Sequence, residues 1–70
     1  MFEYNLPEES TVRITVFDAL GRVVKVLVDE TKAAGVYSVL FNAENIPSGI
    51  YYYRMETPKF SRVMKMILAR

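Results

Sequence analysis

The chain is 70 residues long, with nine Lys and Arg against eight Asp and Glu, a formal net charge of +1, and neither cysteine nor histidine. Those absences exclude disulfide staples, thiolate chemistry, the usual zinc ligands and the side chain that most often serves as a general base near neutral pH. So small a net charge, spread along the chain, supplies no broad basic field for nucleic acid, and every apolar run meets a charge before it reaches membrane-spanning length.

A chain this short buries only about 60% of the surface that it exposes when unfolded, so few of its apolar side chains are free for display. The opening "MFEYNLPEES" lacks the basic-then-apolar layout of a signal peptide. Beyond it the dominant period is two, and the runs are bounded by turn residues rather than by helix caps. Phe2 to Leu6 reads as a short first strand, stopped by Pro7 and the acidic pair Glu8 and Glu9. From Thr11 to Phe17 a second strand puts Val12, Ile14 and Val16 on one face and Arg13 and Thr15 on the other, which suits an antiparallel sheet with one wet side.

"DALGR" turns the chain, with Asp18 accepting hydrogen bonds from backbone amides and Gly21 supplying a left-handed conformation. The third strand, "RVVKVLV", is apolar on both faces and is expected to hold a bulge or cover a sheet edge. "DETKAAG" follows as a polar connection with one helical turn at most. The fourth strand, "VYSVLFN", points Tyr37, Val39 and Phe41 one way and Ser38 and Leu40 the other. After the loop "AENIPSG" comes a tyrosine strand, then the tight turn "TPKF" with Pro58 at its second position, and a last strand from Phe60 to about Ala69. Gly21, Gly35 and Gly49 recur at intervals of 14. The residues around them do not match, so the interval reads as strand plus turn rather than as a true repeat. Together these elements predict an all-β chain, a β-sandwich or small barrel, of which a small antiparallel β-sandwich of about six or seven strands is the expectation, forming one domain over residues 1–70.

Side chains alternate along a strand, so in "SGIYYYR" Tyr51 and Tyr53 share a face with Met55, while Tyr52 shares the other with Arg54 and Glu56. The expectation is two core tyrosines and one exposed at Tyr52, against the alternative of a three-ring binding platform. Tyr51, two residues past Gly49, is placed to hydrogen-bond back to the loop before it. Catalytic patterns are thin. Ser10, Ser38, Ser48 and Ser61 have no histidine to activate them, and the pairs Glu8–Glu9 and Asp29–Glu30 are adjacent acids of the kind usually solvated. A calcium site from Asp29, Glu30 and Glu44 has no Asp-x-Asp-x-Asp pattern behind it. No enzyme activity and no cofactor are expected. In the last strand Met64, Met66 and Leu68 alternate with Val63, Lys65 and Ile67, so one face should pack. Lys59, Arg62, Lys65 and Arg70 punctuate it, either guarding an edge against pairing or forming part of what a receptor reads.

"YNLPEESTVRITVFDALGRVVKVLVDE", "AAGVYSVLFNAENIPSGIYYYRM" and the final "KMILAR" resemble the C-terminal sorting domain of proteins exported by the type IX (Por) secretion system, over essentially the whole chain. A more distant similarity runs to the immunoglobulin-like domain of flagellar hook-capping proteins. The resemblance implies that the sandwich is immunoglobulin-like, a domain fused behind a larger cargo protein and read by the outer-membrane translocon. The cargo is then released or attached at the cell surface by the associated machinery. Its Pro-x-Gly-x-Tyr motif falls on Pro47, Gly49 and Tyr51 and its terminal basic motif on Lys65 and Arg70. Met64, Pro58 and Arg70 depart from the residues commonest in the family. Two other readings remain at this stage: a carbohydrate-binding or adhesive module in which Tyr52 stacks with Tyr4 or Phe17, and a structural spacer, which would be expected to continue into another domain rather than end at Arg70.

Overall fold

The computed structural model describes residues 2–42 and 46–69. Among these residues six strands run in the order β1 (Phe2–Leu6), β2 (Ser10–Asp18), β3 (Val23–Lys32), β4 (Gly35–Val39), β5 (Gly49–Glu56) and β6 (Ser61–Leu68). All pairing is antiparallel. β1 and β4 form a two-stranded sheet, and the other four form a sheet in the order β3-β2-β5-β6.

The period-two pattern of β2 decides where the core lies. Val12, Ile14 and Val16 are each 0% exposed, and the first two pack with Met55 of β5 against Tyr4, Leu6 and Val39 of the small sheet. Leu27 and Val28 of β3 close one side. Those two neighbours could not both face inward in a regular strand. They do so across a register shift, in which Ile14 faces Val28 and Thr15 faces Val26, and a second shift lies between Val16 and Phe17. The apolar run of the third strand is thus explained by bulges, as its composition suggests.

The turns form as their residues dictate. Asp18 Oδ1 accepts from the N–H groups of Leu20 and Arg22, both at 2.9 Å, and Gly21 has φ +84°. The Thr57 N–H donates to the Phe60 carbonyl at 2.8 Å across the Pro58 turn.

Two boundaries differ from expectation by more than one residue. β3 continues through Asp29 to Lys32, paired with Arg13 back to Ser10, so "DETK" is strand and only Ala33 and Ala34 connect. Its polar residues suit an edge: Thr31 shares a hydroxyl hydrogen bond with Thr11 at 3.3 Å and Lys32 Nζ reaches Glu30 at 2.7 Å. β4 ends at Val39, before Leu40 and Phe41.

The outer face of the large sheet is also less wet than the alternation of β2 predicts. Thr15 is 2% exposed, because β2 is central and places Thr15 between Val26 and Arg54 in the register. Its hydroxyl has no hydrogen-bond partner among the described residues. Tyr52, expected to be exposed, is half-buried between Phe17 and Lys65.

Candidate docking end and edge strand

The corner before β5 is built by three residues. Gly49 has φ +155°, a backbone conformation that favours glycine, and this turns the chain so that Tyr51 lies back along it. The Tyr51 hydroxyl then donates to the Pro47 carbonyl at 2.6 Å, and the ring is 6% exposed. The same device recurs at the opposite end of the sandwich, where Gly35 has φ +154° and the Tyr37 hydroxyl donates to the Ala33 carbonyl at 2.6 Å. The 14-residue interval between these glycines is therefore a structural repetition, although the residues around them differ. Its signal in the sequence is Gly-x-Tyr at both places.

The Pro47 corner does not stand alone. Asp18 pairs with Tyr51 and Gly49 pairs with Leu68, so the Asp18–Arg22 turn, the corner and the end of β6 share one end of the large sheet. Between the turn and the corner lies an open groove of about 560 Å³, whose lining includes Leu20, Val24, Ile46, Pro47 and Ile50. Nothing in the alternation pattern points to Leu20 or Ile46, since both lie outside strands. The groove's rim is hydrogen-bonded within itself. Asp18 Oδ2 accepts from Arg22 Nε at 2.9 Å, and these bonds, led by the Arg22 backbone N–H, hold the Asp18 carboxyl below its ordinary pKa.

Lys65 is not part of this groove. It projects from the outer face of β6 opposite Tyr52 and is exposed. Arg70 and Glu44 lie outside the described residues. Among the described residues β6 pairs with β5 alone, leaving its other edge open. No β6 residue belongs to the buried core cluster, because the two-stranded sheet does not reach across it. Met66 and Leu68 are half-buried, whereas Met64 is 37% and Ile67 73% exposed. The face expected to pack does so only in part.

Charge is not evenly spread either. The last 14 residues hold Lys59, Arg62, Lys65 and Arg70 and no acid, leaving five cations and eight acids, net −3, in the preceding 56. Lys59 is paired with Glu8. Arg62 and Lys65 have no ion pair among the described residues.

The other sequence-derived candidates do not converge. Asp29 and Glu30 are consecutive in β3 and face opposite sides. Among the described residues no three Asp, Glu, His or Cys gather as a metal site would require. Tyr4 is buried and stacked on Tyr37, ring centroids 5.4 Å apart, so it cannot join Tyr52 on the surface. Phe17 does neighbour Tyr52, but the Arg54 guanidinium lies over its ring at 4.7 Å.

The family model described as secretion system C-terminal sorting domain matches residues 1–69. The chain belongs to that family. It is a C-terminal sorting signal for type IX secretion. The family is one of sorting signals rather than enzymes, and membership implies association with the secretion machinery and an upstream cargo, with export toward the outer membrane, cell surface or extracellular space. Searches of curated proteins and of solved structures returned no match, for the hook-capping domains as for any other. No helix among the described residues is long and apolar enough to cross a membrane.

Proposed function

We propose that this sorting domain, a single unit over residues 1–70, docks as a folded body on the outer-membrane type IX translocon, without chemistry of its own. The end of the sandwich that carries the Pro47 corner, together with β6, forms the recognition surface. From there the fused cargo passes to the attachment machinery at the cell surface. The observation behind this reading is the juxtaposition of the Asp18–Arg22 turn, the Pro47–Tyr51 corner and the end of an open, cationic edge strand at one end of the molecule. Pro47, Gly49 and Tyr51 act indirectly by fixing the groove's shape, whereas Lys65 and Arg70 are contact residues.

The test is export of a reporter fused upstream of this chain, in a bacterium with a type IX system. Lys65→Glu should lower surface delivery while leaving the circular dichroism spectrum native. Gly49→Ala should lower it in proportion to the loss of folded domain. Equal delivery by Lys65→Glu and wild type would remove Lys65 from the recognition surface.

A further inference from the structure

The large sheet has two edges, and they are built differently. β3 is bulged twice against β2 and carries Lys25, Asp29, Glu30 and Lys32, both signs of charge in equal number. Bulges and charged side chains are ways in which an edge strand is kept from pairing with a stranger, and with both signs present the charges of β3 disfavour no one sign of partner. β6 has no bulge: its eight residues pair with β5 in unbroken register from Ser61 to Leu68, and its only guards are two charges, both positive. Every second residue of such a strand directs its backbone N–H and C=O away from the sheet. The strand is therefore a straight template for addition, restricted by Arg62 and Lys65.

That restriction selects by sign. In an antiparallel pair, residues directly opposite lie about 5 Å apart at Cβ, and like charges there are unfavourable. A second copy of β6 brings two further cations to the edge, and the register that sets Arg62 against Lys65 does so twice. A segment with carboxylates meets no such penalty. Arg62 and Lys65 are three positions apart and so face opposite sides of the sheet. The matching segment carries acids three positions apart, with uncharged residues between them to lie beside Val63 and Met64.

We infer that β6 takes an acidic extended segment of the secretion machinery as a fifth strand of the large sheet. This rests on the sorting reading and adds to it the mode and the charge of the partner. Recognition then combines backbone hydrogen bonds, which tolerate many sequences, with two ion pairs that set register.

The probe is a synthetic nine-residue peptide of alternating Val and Thr with two Glu three positions apart, and a second with Lys in their place. Both are titrated into the 70-residue domain while amide hydrogen exchange is followed residue by residue. The acidic peptide should protect β6 amides and bind about tenfold tighter than the basic one, a difference that shrinks with added salt. In Arg62→Glu/Lys65→Glu the preference should reverse, and in Arg62→Gln/Lys65→Gln, the milder change, it should vanish. Equal binding of the two peptides overturns the inference, as does protection of β1, β3 or β4 in place of β6. Concentration-dependent protection of β6 without peptide also overturns it, because a second copy then takes the edge. The reporter assay separates the two levels. A wild-type reporter that reaches the surface, with peptides that do not discriminate, removes the acidic strand and leaves the sorting function. A reporter held in the periplasm removes the sorting function itself.

Discussion

The Tyr51 hydroxyl donates to the Pro47 carbonyl four residues back at 2.6 Å, and Tyr37 makes the same bond to Ala33 at the same distance. Each bond ties a loop to the start of the strand that follows it. Tyr51→Phe removes one bond without altering the ring's packing, so it should cost about 1 kcal/mol and lower Tm by roughly 4–8 °C. Tyr37→Phe should cost less, since its bond is solvent-accessible. Thermal denaturation of the two variants checks the order.

Gly49→Ala separates backbone from packing. An added Cβ would meet the Tyr51 ring at 4.0 Å, ordinary contact, while φ stays at +155°. The loss should therefore be conformational, about 1–3 kcal/mol, and no smaller in the Tyr51→Phe background than in wild type. A Gly49→Ala variant as stable as wild type would contradict a requirement for glycine at φ +155°.

Thr15→Val should stabilise. The side chain is 2% exposed and its hydroxyl has no partner among the described residues, so an apolar group of the same shape relieves an unsatisfied donor worth about 1 kcal/mol and also favours a strand. A lower Tm for Thr15→Val would mean that the hydroxyl is satisfied after all.

Asp18 predicts an acid dependence. Its pKa is lowered in the folded chain, chiefly by the Arg22 N–H. Its contribution is thus fully present above the ordinary carboxylate value and is lost as pH falls through the folded one. Tm measured against pH should fall more steeply below about pH 4 in wild type than in Asp18→Asn. Parallel acid limbs would show that Asp18 titrates alike in folded and unfolded chains.

Much of this was legible in the sequence where one signal dominated. Val12, Ile14 and Val16 alternate, and they are the core; Asp18 and Gly21 dictate a turn, and it forms; Gly49 and Tyr51 predict a tied corner, and the bond is there. The errors came where position in the sheet outweighs composition. Asp29 to Lys32 look like a loop because an edge strand tolerates charge on its exposed sides. Thr15 and Tyr52 look wet because period two cannot tell a central strand, shielded by neighbours, from an outer one. The groove beside Leu20 and Ile46 was illegible, since it depends on which turns the topology brings together. The partial exposure of Met64 was hidden too, because alternation assigns a face without revealing whether a second sheet covers it.

The central claim, that this chain is a sorting signal which docks through the Pro47 end and β6, is tested most directly by fusing it behind a reporter in a type IX-competent bacterium. Surface-exposed reporter is then measured by protease accessibility on intact cells. The account predicts delivery with the wild-type domain, loss with Arg62→Glu/Lys65→Glu, and native circular dichroism for both. Periplasmic retention of the wild-type fusion, or undiminished delivery of the charge-reversed one, would contradict it.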